Sequence, residues 1–308
     1  MTRVHVADLV KDYTVRSGSK RSRLRAVDHV SLDLLPGRTV ALVGESGSGK
    51  STIAKILTRM ESPTSGTVDV RLDDDTPVQG AMYRRQVQMV FQDPFASLNP
   101  FHTIEHHIAR PLRIHKRTRT AAETHDRVLE MLERVNLTPA DDIAPRRPHE
   151  LSGGQRQRVA IARALAPGAQ VVIADEPVSM LDVSIRLGVL NLLARLQREE
   201  RLAVLYITHD LATARHFSDE IVVLYRGRVV ERGPSDAVIL DARHDYTKLL
   251  KMAAPDPERG ARATILAGGE RDAIDNSICY DHYAGEWQEA GVPSGSRART
   301  APDPVPDI

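Results

Sequence analysis

Residues 44–51, GESGSGKS, limit what this chain can fold into more than any other stretch. They fit the phosphate-binding pattern G-x-x-x-x-G-K-[ST]. The apolar run at 39–43 enters the turn like a buried strand, and residues 52–60 leave it with helical spacing. Glycines let backbone N–H groups converge on an anion, and the helix that follows points its positive end at the same place. Gly44, Gly47 and Gly49 are expected to supply the backbone freedom, with Glu45, Ser46 and Ser48 completing the turn. Lys50 is expected to reach the β- and γ-phosphates of a nucleotide, Ser51 to ligate Mg²⁺, and Thr52 to stand where the helix opens.

A second stretch matches the first in chemistry. Residues 171–177 read VVIADEP, a buried-type strand ending in two carboxylates. At the carboxyl edge of a parallel sheet, where ligands bind in this fold class, Asp175 is placed to hold Mg²⁺ through its water shell. Glu176 is placed to orient or deprotonate an attacking water. Alone, the pair is an ordinary strand end; beside a phosphate loop it reads as the other half of a nucleotide site. Residues 151–155, LSGGQ, form another glycine-rich turn opening a helix, and so another possible anion site.

Taken together and in this order, the motifs resemble the ABC ATPase family over about residues 3–250. The resemblance identifies LSGGQ as the family signature, with Ser152, Gly153, Gly154 and Gln155 expected to contact nucleotide across a head-to-tail dimer. It makes Gln92 the glutamine-loop residue, near Mg²⁺ and the water, and His209 the switch histidine. Tyr13 matches the aromatic that stacks on adenine. Asp182 falls in the loop after the second carboxylate (SMLD), where Met180 replaces the usual alanine. Three longer matches, FQDPFASLNP at 91–100, EPVSMLDVSIRLGVLNLL at 176–193 and HDYTKLL at 244–250, look like the oligopeptide/dipeptide importer branch, which includes nickel importers. GKST at the end of the phosphate loop looks more like the second, "F-type", ATPase of such systems than its GKSV-bearing D-type partner.

The resemblance implies a P-loop fold of the ABC ATPase type: a mainly parallel α/β core sheet, an antiparallel β subdomain and an inserted helical subdomain at about 94–166. Strand–helix alternation through the middle of the chain points to the same parallel sheet. Residues 220–232 read as a hairpin turning near Arg226–Gly227, and 16–25 (RSGSKRSRLR) as a solvated basic loop. An ATPase domain over 1–254 and a partly disordered extension over 255–308 are expected, weakest in pattern after Gly291. Within the extension, Ile265, Leu266, Ile274, Ile278, Tyr280 and Trp287 are candidates to pack on the domain.

Bulk properties narrow the function. Forty-two basic and 41 acidic residues leave a net charge of +1, which gives no reason to expect nucleic acid as a partner. The lone Cys279 permits no internal disulfide and no cysteine cluster in the tail. No signal-like or membrane-spanning apolar run is present, so other chains are expected to supply the spans. A soluble ATPase acting on DNA or ribosomes is the competing class. Roughly 100 residues between Lys50 and Ser152 leave no room for a long coiled coil, and only one cassette is present. The expectation is an ATP- and Mg²⁺-dependent motor on the cytoplasmic face of the cell membrane, importing peptides or, in the alternative, nickel or another small solute. Its expected partners are a second ATPase subunit, two transmembrane permease subunits and an extracytoplasmic solute-binding protein.

Overall fold

The computed structural model describes residues 1–17, 20–253 and 274–290. Its main sheet holds β3 (Thr39–Val43), β5 (Val87–Val90), β6 (Val171–Asp175), β7 (Ala203–Thr208), β8 (Glu220–Tyr225), β9 (Arg228–Pro234), β10 (Ile278–Asp281) and β11 (Glu286–Glu289). The order is β11-β10-β9-β8-β3-β7-β6-β5, and the five strands from β8 to β5 run parallel. A separate antiparallel sheet of β1 (Thr2–Ser17), β2 (Lys20–Leu34) and β4 (Ser65–Leu72) has the order β2-β1-β4.

Every residue of β3, β6 and β7 is buried, as continuous apolar runs covered on both faces require. Alternate residues feed two cores. Val40 and Leu42 pack with the antiparallel sheet and helix Lys50–Leu57. Ala41 and Val43 pack on the other face, with helices Ile104–Ile114, Ala121–Arg134 and Val183–Glu200. Period-two alternation thus places one layer on each face of the sheet.

Helices Pro94–Ser97, Ile104–Ile114, Ala121–Arg134, Ala140–Ile143 and Gly153–Leu165 lie between β5 and β6, and side chains start several of them. Thr103 accepts from the His106 amide, Thr120 from the Glu123 amide and Ser152 from the Gln155 amide. Arg16 and residues 21–25 are exposed but lie in strands rather than a loop: β1 and β2 pair Arg16 with Arg21 and Ser17 with Lys20, and Gly18 and Ser19 lie outside the described residues. A run of basic residues suits an exposed strand pair as well as a loop, since its side chains stay in solvent either way.

Residues 274–290, expected as part of the extension, add β10 and β11 to the edge of the main sheet. Buried polar groups hold them there. Glu231 accepts from the Arg243 and His244 amides at 2.8 and 3.0 Å, and it contacts His282 Nε2 at 2.8 Å. The Arg232 guanidinium donates to Asp281 at 2.6 and 2.9 Å. Buried charges persist only when paired and bonded in this way. Cys279 is buried, and burial pushes its thiol up to about 12. Ile274 packs against the core, while Trp287 is about half exposed. Ile265, Leu266 and the weak order expected after Gly291 lie outside the described residues.

Candidate nucleotide site

Backbone crowding makes the phosphate loop's glycines obligatory at two points. A Cβ on Gly44 would lie 2.2 Å from the Leu224 carbonyl oxygen, and one on Gly49 2.3 Å from that of Ala26. Gly49 also adopts φ +110°, which disfavours any side chain. No side chain caps helix Lys50–Leu57, so its leading amides remain donors at the mouth of the loop. Ser46, Gly47 and Ser51 are exposed and Thr52 is half-buried. Lys50 is buried, and its Nζ donates to the Gly44 and Glu45 carbonyls at 2.7 Å each. Burial lowers its pKa, while Glu176, Asp175 and Glu45 oppose that shift. The carboxylates across the cleft therefore already act on this cation.

Three adjacent parallel strands deliver the rest. Gln92 follows β5, Glu176 follows β6 and His209 follows β7, so their side chains meet at one carboxyl edge. Gln92 Nε2 donates to Glu176 Oε2 at 3.0 Å, and His209 Nδ1 stands 3.2 Å from Glu176 Oε1. The backbone fixes Glu176 as firmly. Its φ is +44°, its amide donates to Ile207 O at 2.9 Å, and its carbonyl accepts from Ser179 Oγ at 3.0 Å. A non-glycine residue in the left-handed region carries strain that surrounding bonds must outweigh.

Asp175 is buried, and its Oδ1 accepts from Ser51 Oγ at 3.4 Å. Burial raises its pKa, with Glu176 adding to the rise and Ser51, Lys50 and Lys55 opposing it. A cation beside this carboxylate would relieve its desolvation. The donors brought together are hard oxygens, the Ser51 hydroxyl and the Asp175 carboxylate, while the Gln92 amide donates to Glu176 and Ser179. Among the described residues no cluster of three His, Cys, Asp or Glu could hold a metal. Mg²⁺ needs none, since it keeps waters and takes one or two carboxylates plus substrate phosphates. The residues fit that ion.

The ABC transporter family model matches residues 27–179. The dipeptide transport ATP-binding protein DppF of Haemophilus influenzae (strain ATCC 51907 / DSM 11121 / KW20 / Rd) is 44% identical over 253 residues, which cover 80% of this chain and 76% of DppF. This chain belongs to the ABC transporter ATP-binding family. The glutathione import ATP-binding protein GsiA of Salmonella paratyphi A (strain ATCC 9150 / SARB42) is 46% identical over 291 residues. That match covers 92% of this chain but 45% of GsiA, so the chain spans under half the length of this relative. Among solved structures, the dimeric post-hydrolysis ATP-binding cassette MJ0796 bound to ADP and Pi superposes with a TM-score of 0.64 at 32% identity, covering 75% of this chain and 98% of that one. The structure of cbiO1 from Clostridium perfringens, part of the ABC transporter complex cbiONQ, gives a TM-score of 0.64 at 25% identity, covering 81% of this chain and 93% of that one.

Other residues that the ABC resemblance singled out stand apart from the cluster around Glu176. Tyr13 is half-buried on β1, opposite Leu24, with Lys11 Nζ 5.0 Å from its ring centre. Ser152 is exposed and closes a capping box with Gln155, at 3.3 and 2.9 Å. Gly153 and Gly154 pack on Leu181 and Ile185. Asp182 is exposed at the start of helix Val183–Glu200. Among the described contacts, none joins Ser152–Gln155 or Asp182 to the phosphate loop of the same chain. Sequence reasoning missed Tyr246, which is buried and whose hydroxyl accepts from the Glu45 amide at 2.9 Å. HDYTKLL flagged its neighbourhood, but no local spacing links residues 201 apart.

Proposed function

We propose that this chain is an ATP-hydrolysing subunit that powers an ABC importer for oligopeptides or dipeptides. The observation that carries the reading is the Glu176 carboxylate, held between Gln92 and His209 and facing the Lys50, Ser51 and Asp175 group. Loop amides and Lys50, released from the Gly44 and Glu45 carbonyls, bind the β- and γ-phosphates. Held by Ser51 and Asp175 with Gln92 beside them, Mg²⁺ would supply charge neutralisation to the transferring phosphoryl group. Glu176 accepts a proton from water as the water oxygen bonds to γ-phosphorus and the bridging P–O bond breaks, giving ADP and phosphate. Gln92 and His209 keep the carboxylate aimed at that water. Tyr13 stacks on the adenine.

Ser152, Gly153, Gly154, Gln155 and Asp182 serve the ATP of a second ATPase subunit in a head-to-tail pair. The exposure of Ser152 and Asp182, and the absence of a contact between this group and the chain's own phosphate loop among the described contacts, favour that role. Among the described residues no helix is long and apolar enough to cross a membrane. Two permease subunits supply the spans, a solute-binding protein delivers the cargo, and this chain works at the cytoplasmic face. The comparisons do not support the narrower F-type assignment, and the names of DppF and GsiA make dipeptides and glutathione the first solutes to try.

Phosphate release is measured with purified chain, alone and mixed with its candidate partner ATPase. Turnover is expected to need Mg²⁺, to stop with EDTA and to vanish in Lys50→Ala. Near-normal activity in Lys50→Ala removes the reading. Stimulation of the assembled complex by a binding protein loaded with dipeptide or glutathione tests the cargo.

A further inference from the structure

A second cleft lies at the opposite end of the strands that deliver Gln92 and Glu176. It opens where β5 and β6 begin, beside Gln86 and Gln170, and has a volume of about 360 Å³. Four residue steps of strand separate the start of β6 at Val171 from Asp175, roughly 13 Å at the usual rise. The two sites cannot share one small ligand.

Its charge is lopsided. Arg85, Arg117, Arg127 and Arg134 line it, against the single carboxylate of Glu200. Arg134 pairs with Glu200, and Arg127 pairs with Glu130 outside the cleft. Arg85 and Arg117 have no acidic partner among the described residues. The Arg85 Nε is fully enclosed and meets no acceptor. An orphaned charged donor in an enclosed position is costly, so its retention calls for a partner. The Arg117 guanidinium lies flat on the loop at Gly168. A Cβ there would sit 3.3 Å from its Cζ, so glycine with φ +85° makes the approach possible. Nearby, burial lowers the pKa of His115, and the field of Arg85 and Arg84 lowers it further.

We infer that this cleft binds a small soluble anion carrying two adjacent phosphates, gripped by Arg85 and Arg117 with Arg127 and Arg134 at its flanks. Planar guanidinium forks match phosphate oxygens and are the strong form of such contacts. Two uncompensated cations call for two negative centres. The volume lies at the small end of ligand pockets, enough for a diphosphate and a modest remainder.

The probe is inorganic pyrophosphate, titrated calorimetrically into full-length protein already saturated with Mg²⁺ and a non-hydrolysable ATP analogue, so that the phosphate loop is filled. One saturable site per chain is expected. Arg85→Gln and Arg117→Gln are each expected to weaken it about tenfold or more, the scale of one charge-assisted bond. ATP-analogue affinity in the same variants checks that they fold, and the exposed Arg117 side chain can be changed without touching the core. Adenosine diphosphate titrated in parallel shows whether a nucleoside is accommodated. Tighter binding than pyrophosphate extends the ligand to a nucleotide, and equal binding confines it to the diphosphate. No saturable binding to the analogue-filled protein, or wild-type affinity in both arginine variants, overturns the inference.

Discussion

Two glycine-rich turns in this chain each open a helix, yet they use glycine for different reasons. In the phosphate loop, Gly47 and Gly49 take positive φ, and Gly44 and Gly49 face carbonyl oxygens closer than any Cβ allows. No side chain caps the helix it opens. In the signature turn, neither Gly153 nor Gly154 has positive φ, and Ser152 with Gln155 closes a capping box at the helix start. Glycine serves packing there, bringing the turn onto Leu181 and Ile185. On the proposed reading the first turn offers its backbone donors to a phosphate of its own chain, whereas the second engages two amides of its helix start in the capping box and presents Ser152 outward.

The largest effect expected lies on the phosphate-loop side. Glu176→Gln keeps shape and hydrogen bonding but removes the base, so turnover is expected to fall by ~10²-fold or more while ATP binding survives. Single-turnover assays beside equilibrium binding check this, and retained turnover would move the proton work to another group. On the signature side, Ser152→Arg is expected to abolish ATP-driven association of the Glu176→Gln protein with its partner ATPase, or with itself, without touching ATP binding by the isolated chain. Light scattering with and without ATP decides, and association that persists removes the cross-chain role. Stability offers a third contrast. Gly49→Ala meets both a forbidden φ and a backbone oxygen and should cost about 3 kcal/mol. Gly154→Ala meets the Ile185 side chain at 2.6 Å, which can give way, and gains helix propensity, so about 1 kcal/mol is expected. Equal losses in urea unfolding would erase the distinction between the two turns. The smallest effect belongs to Tyr246→Phe. Orphaning the Glu45 amide should cost about 1–2 kcal/mol and raise the KM for ATP more than it lowers kcat. A change in kcat alone would detach Tyr246 from the loop's ground-state shape.

Much of this was legible in the chain itself, because local physics dictated it. The phosphate loop, the strand ending in Asp175 and Glu176, and strand Ala203–Thr208 before His209 are short segments whose glycine placement or apolar run admits few alternatives. The hairpin of β8 and β9 was readable for the same reason. Tertiary structure decided what depends on distance along the chain. The order of β7, β6 and β5 brings Gln92 and His209 onto one glutamate, from which they stand 84 and 33 positions away in sequence. The Tyr246 bond to the loop, the docking of residues 274–290 on β9 and the opposing arginines of the second cleft have no periodicity or motif to announce them. Segments fix their own backbone through neighbouring residues, whereas a bond between remote side chains exists only once the packed sheet has set which strand ends are neighbours.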